Sequence, residues 1–394
     1  MKPEKYTMPQ TPIIYLDAAS TTPCSDEVIQ EMLEFSKSTF GNPSSSHLMG
    51  RLARCAICES TSTIAKLLGC RTSELIFTSG ATESNNIVIL GSTKPHQGSN
   101  IIVCPIDHKS TLAAAEELER RNIEVRKMRV TSNGRVDIDH LSSLLDERST
   151  LLSISYVNSE IGTFQNLKEI RLALNKNPHT LFHVDAAQAL GKIPINLKKL
   201  GVDCASFSAH KIGGPKGIGI LYASQSAISR LQPLTFGGGQ SPLRSGTLPT
   251  QLIVGFGAAA RRIQLQNNRD SWNAASQRRT AILEIFKAYK IPYLTNSPRF
   301  KSTPHILNIT ITGIQAETLI SHLGHVCISS GSACNAHDLR PSHVITGIGH
   351  DMKRATSSIR LSFTSDTDID LIRNGAEVIC KTISALSQTS HRSN

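Results

Sequence analysis

Short apolar runs recur along the chain: ELIFTS (74–79), NIIVCPI (100–106), LLSISYV (151–157), LFHVDAAQ (181–188), CASFSAHK (204–211) and GIGILYA (217–223), with helix-compatible segments between most of them. None alternates strictly with polar residues, which is the pattern of strands covered on both faces. The pattern predicts a mostly parallel α/β sheet, and ligands of such sheets bind beyond the carboxyl ends of the strands. After residue 255 the rhythm changes. A polar, Arg- and Gln-rich stretch (255–279) reads as a linking helix, followed by strand-like HILNITITG (305–313) and two further helices. A smaller α+β domain is expected there, joined by the N-terminal strand region, and the polar tail SQTSHRSN (387–394) is expected to fray.

Composition narrows this picture. A chain of 394 residues can bury one large core and a smaller one. The opening MKPEKYTMPQTPIIYLD has no basic start leading into an apolar segment, and no later run is apolar for long enough to span a bilayer. A soluble, cytoplasmic protein is expected. Nine cysteines, an odd number and widely scattered, do not form the framework of a small secreted domain, so most are expected reduced and buried. Cys55 and Cys58 form a CxxC inside a helical pattern with no second CxxC, and read as helix packing. The formal net charge of +11 suits acidic partners. Its basic residues are dispersed, without an aromatic-rich basic stretch, so direct nucleic-acid binding is not expected.

Three places could carry chemistry. ELIFTSGATESNNIVIL is a strand, a small-residue turn and a helix, which aims free backbone N–H groups at the turn. That suits a phosphate, although S-G-A-T is also ordinary helix-capping sequence. Asp185 closes an apolar run, where a carboxylate needs a cationic partner. A protonated pyridine nitrogen would serve, and so would the helix that follows, if Asp185 only caps it. Lys211 ends the next run in SFSAHKIGGPKGIGILY, behind Ser208 and His210, and an amine so placed can form a Schiff base with an aldehyde. Phosphate pocket, acidic residue and lysine together point to pyridoxal 5'-phosphate (PLP).

The motifs YLDAASTTP, FGNPSSSHLMG, IFTSGATESNN, IDHKST, VNSEIGTFQN, FHVDAAQALGK, SAHKIGGPKGIG, GGGQSPLRSGTLP, SSGSACNAHDLRPSHV and SSIRLSF follow one another in this order. On them the sequence, over residues 13 to 375, resembles the cysteine desulfurases, which are similar to class V aminotransferases. The resemblance implies the α/β fold of type I PLP enzymes: a large domain (13–255) on a mostly parallel seven-stranded sheet, and a small C-terminal domain (256–394 with 1–12) carrying a mobile loop with Cys334.

Residue by residue, the resemblance implies that Lys211 binds PLP covalently and moves the substrate α-proton, that Asp185 pairs with the pyridinium, and that Gln188 bonds the ring hydroxyl. It implies that His108 stacks on the ring and relays protons, and that Ala81, Thr82, Ser208 and His210 hold the phosphate. Thr247 is implied as a phosphate ligand donated by the other subunit of a homodimer, and Asn158 and Arg360 as the grip on the substrate carboxylate. Cys334 would take sulfur from L-cysteine as a persulfide, leaving alanine, and pass it to acceptor proteins; by itself a cysteine in a small-residue loop is more often inert, so this role rests on the resemblance. The long segment after Cys334 resembles the branch with a mobile GSAC loop. Destinations in the family include iron–sulfur cluster assembly, tRNA thiolation and DNA phosphorothioation.

Two departures stand out: GGGQSPLRSGT is one residue shorter than the family's usual form, affecting Arg244 and Thr247, and Ala18 replaces a usual asparagine. His322, His325 and Cys327 lie close in sequence without a fourth ligand, and no metal is expected. Selenocysteine lyase and a non-catalytic PLP-containing scaffold for sulfur transfer share the cofactor motifs and remain the alternatives.

Overall fold

The computed structural model describes residues 11–93, 98–238, 241–266, 268–331 and 341–392. All six apolar runs form strands of one seven-stranded sheet. From one edge its order is Leu75–Thr78, Gly219–Ala223, Cys204–Ser208, Leu181–Asp185, Ser149–Ser155, Asn100–Val103 and Glu124–Lys127. Gly219–Ala223 runs antiparallel to both its neighbours and every other pairing is parallel. The seventh strand, Glu124–Lys127, is an edge made of EVRK.

Successive strand residues feed opposite cores, which is why the runs read as continuous apolar sequence. Ile102, Leu152, Val184 and Phe207 pack with helices Leu48–Leu68, Leu167–Leu174 and Thr250–Leu265 on one face. Ile101, Leu151, Leu181 and Leu221 pack with helices Ala81–Gly91 and Lys109–Arg120 on the other.

A third core lies in the smaller unit, around the antiparallel sheet Ser329–Ser330, Ser358–Ser362, Ile306–Ile311 and Tyr293–Thr295 and the helices Asn268–Ala288 and Ile369–Arg392. Ile14 and Leu16 belong to this core, because Ile14–Tyr15 pairs with Val326–Cys327. Helix Thr250–Leu265 spans the expected boundary at 255, and its Phe256 and Ala258 to Ala260 pack in the large core. Packing therefore puts residues 14–16 with the small unit and 256–265 with the large one.

Between the two units, residues 17–22 cross over Lys211. Ala18 and Ala19 donate to Ser362, and Thr22 N and Oγ1 donate to the His210 carbonyl. Cys55 and Cys58 are exposed rather than packed, since they fall on the outer side of their helix, whereas Cys104, Cys204 and Cys380 are buried. Among the described residues no helix is long and apolar enough to cross a membrane.

Candidate active site

Eight of the expected residues line a single cavity of about 430 Å³ at the carboxyl ends of the central strands: Ala81, Thr82, His108, Asp185, Gln188, Ser208, His210 and Lys211. Strand Leu75–Thr78 delivers its chain to Gly80, and helix Ala81–Gly91 begins there. The Ala81 N–H donates to Ser208 Oγ at 2.8 Å, which binds the helix start to the neighbouring strand end. This close approach needs glycine at 219, where a Cβ would stand 2.5 Å from both Gly80 Cα and the Phe207 carbonyl oxygen. Such a helix start is a ready anion cradle.

Asp185 ends strand Leu181–Asp185 and is buried. Its Oδ1 accepts from Ala187 N at 3.0 Å and its Oδ2 from Asn85 Nδ2 at 2.8 Å. The helix expected after Asp185 is not formed: residues 187–192 make turns, and the carboxylate holds the first of them while facing the cavity. Lys211 Nζ donates to the Ala19 and Ser20 carbonyls at 2.6 and 2.7 Å. Gln188 donates from Nε2 to the Ala19 carbonyl at 2.7 Å and accepts at Oε1 from Lys192 Nζ at 3.1 Å. Burial, then the nearby Lys211 and Arg360 charges, push the Lys192 ammonium down to about 7. Burial and the lysines around it likewise lower His210 to about 4, so at neutral pH its imidazole is uncharged.

His108 caps helix Lys109–Arg120 and also lines a second cavity of about 360 Å³, with Ser159, Glu160, Gly331, Pro341, His343 and Arg360. Arg360 donates to the Ser159 carbonyl at 2.9 Å, Asp17 Oδ1 at 2.8 Å and Ser20 Oγ at 2.7 Å. Glu160 is buried and accepts from Ser342 Oγ at 2.6 Å; burial raises its carboxyl to about 7. Asn158 is placed differently from Arg360. Its Oδ1 holds the Glu160 and Ile161 N–H groups and its Nδ2 donates to the Ile106 carbonyl, so most of its amide shapes the turn.

Arg244 reaches the helix start despite the shorter loop and pairs with Glu83 at 2.9 Å. Thr247 is exposed and is not among the residues lining the cavity of its own chain. Cys334 lies outside the described residues. His322 Nδ1 lies 2.7 Å from the Thr318 carbonyl oxygen in its own helix.

The residues fit PLP. The cavity has the size of a small-ligand pocket, a lysine amine and a doubly held carboxylate share it, and a helix start with Ser208 stands at one end. Sequence reasoning missed Asn85, Ser110 and Lys192: Ser110 itself lines the cavity, and Asn85 and Lys192 bond residues that do. A signal for Asn85 was present: it falls on the same helical face as Ala81 and Val88, where a buried amide must find partners.

The aminotransferase class-V family model matches residues 14–373. The chain is 40% identical over 370 residues to a mitosomal cysteine desulfurase of Encephalitozoon cuniculi, covering 92% of this chain and 85% of the relative. It is 41% identical over 366 residues to the cysteine desulfurase IscS of Buchnera aphidicola, covering 91% and 90%. A solved NifS-like protein superposes with a TM-score of 0.87 at 33% identity, over 94% of this chain and 99% of that one.

Proposed function

The chain belongs to the class-V aminotransferase family as a PLP-dependent cysteine desulfurase, and from that premise we propose how its residues divide the work. The observation that carries the reading is the convergence of Lys211, Asp185, His108 and the Ala81–Ser208 cradle on one cavity. PLP, when bound, supplies an electron sink for charge that develops on the substrate. Asp185 holds the ring nitrogen, Gln188 the ring hydroxyl, and Ala81, Thr82, Ser208 and neutral His210 the phosphate. Lys211 anchors the cofactor covalently and moves the substrate α-proton.

Arg360, already oriented by Asp17 and Ser159, takes the carboxylate of L-cysteine, with Asn158 beside it. The Cys334 thiolate attacks the substrate sulfur. The carbon–sulfur bond breaks, the sulfur stays on Cys334 as a persulfide, and the remaining carbon skeleton takes up a proton and leaves as alanine. The persulfide passes to acceptor proteins, and the IscS name of several relatives favours iron–sulfur cluster assembly as the destination. The enzyme works in the cytoplasm as a homodimer in which Thr247 serves the phosphate of the second subunit. Exposed Ile29, Leu33, Phe40, Leu48 and Leu52, on and between two helices that both pack on Thr250–Leu265, supply the apolar surface such a dimer needs.

The test mixes purified protein with L-cysteine and a reductant and assays alanine and sulfide. A yellow protein that forms both is expected, and Cys334→Ala should keep the colour while turnover falls by roughly a hundredfold or more. A colourless wild type, or full turnover in Cys334→Ala, would overturn the assignment.

A further inference from the structure

Along one wall of the cavity, Asp185, Ser110 and His108 are joined through Asn85 into a single hydrogen-bonded line whose direction can be deduced. Asn85 is fully buried, and its Nδ2 stands 2.8 Å from Asp185 Oδ2 and 2.9 Å from Ser110 Oγ. Ser110 Oγ stands 2.8 Å from His108 Nδ1, and the Ser110 N–H donates to that same Nδ1 at 3.1 Å.

Asp185 sets the direction, since an ionised carboxylate only accepts. Nδ2, not the amide oxygen, must therefore face it. The reversed amide would bring two acceptor oxygens to 2.8 Å. This orientation is kept although it leaves Asn85 Oδ1 buried with no hydrogen-bond partner among the described residues. The second Nδ2 hydrogen goes to Ser110 Oγ, so the Ser110 hydroxyl proton is directed at His108 Nδ1. That nitrogen then receives two donors from Ser110 and carries no proton itself, which puts the proton of the neutral imidazole on Nε2.

We propose that Asn85 and Ser110 are positioning residues that relay the carboxylate of Asp185 to His108 and fix its imidazole as the Nε2–H tautomer. Two groups that meet different parts of the cofactor are thereby coupled. The charge on Asp185 that holds the ring nitrogen also dictates which nitrogen of His108 can give a proton. The inference rests on the reading of Asp185 and His108 as cofactor-facing residues, but not on turnover.

The experiment is nitrogen NMR of the PLP-loaded protein labelled with ¹⁵N-histidine, with the His108 signals identified by their loss in His108→Gln. The wild type should show an unprotonated Nδ1 and a protonated Nε2. Ser110→Ala and Asn85→Ala, each confirmed as folded by circular dichroism, should shift the tautomer ratio by roughly tenfold, the effect of about one hydrogen bond. Ser110→Thr, which keeps the hydroxyl, should restore it. A protonated Nδ1 in the wild type, an unchanged ratio in both alanine variants, or no restoration by threonine would overturn the relay. Alanine production is assayed on the same samples: loss of desulfurase activity with the expected tautomer would count against the function alone, and the reverse against the relay alone.

Discussion

Glu160 carries a prediction of definite sign. Burial raises its carboxyl from 4.5 to about 7, against smaller opposing effects of the Ser342 hydrogen bond and the Arg360 charge. Between those two values the folded protein keeps a proton that the unfolded chain has lost, so stability falls as pH rises through this window. Glu160→Gln keeps an acceptor for Ser342 and has no proton to lose. Its unfolding free energy relative to wild type should therefore climb between pH ~4.5 and ~7, by ~3 kcal/mol, and level off above. Denaturant unfolding of both proteins across that range checks it, and parallel curves would refute it. At this scale the sequence was informative about residues that line the cavity, because anion cradles and strand-end carboxylates have local signatures. Of the residues that hold them it marked only Asn85, as a polar position on a buried helical face, and not its partner. Lys192 touches Gln188 only four residues away, but Asn85 meets Asp185 across 100 positions of chain, a contact that only the folded sheet creates.

Among the elements, the junction of Gly219 with the Gly80 turn is a close backbone-to-backbone approach at the cavity. Gly219→Ala would press a methyl into backbone atoms 2.5 to 2.7 Å away that have no rotamer to give. A loss of ~2–3 kcal/mol in stability is expected, together with weaker PLP retention, because the helix start at Ala81 must move. Thermal unfolding and the PLP content after dialysis measure the two effects, and unchanged retention would separate the junction from the cradle. The strands of the central sheet were legible because both faces are covered, leaving long apolar runs. Three features were not. Strand Ile14–Tyr15 has only two residues and exists through its pairing with Val326–Cys327. Helix Thr250–Leu265 runs through the expected domain boundary without a break in periodicity. Strand Glu124–Lys127, made of EVRK, has no apolar run to mark it, since half of it is exposed.

For the whole molecule, the proposed homodimer gives a direct expectation. Sedimentation should report about twice the chain mass of 42.8 kDa, and Leu52→Asp, which puts a charge into the exposed apolar surface, should drive it to monomer. The monomer should also lose PLP more readily if Thr247 serves the neighbouring subunit. A variant that stays dimeric with full retention would move the interface elsewhere. The formal charge of +11 adds that acceptor binding should weaken as salt rises from 50 to 500 mM, if acidic acceptors are the partners, on the scale set by charge screening. Strand Glu124–Lys127 also matters beyond the fold. It is the last strand of the mixed sheet, and among the described residues no further strand pairs with its outer side. Arg126 is held there by Glu124 and Asp146, and Arg148 reaches both carboxylates. Charged side chains on an edge strand disfavour the addition of another strand. The polarity that hides the strand from sequence reading is thus a guard against fibrous self-association, in a protein whose remaining strands are rich in the apolar sequence that aggregates.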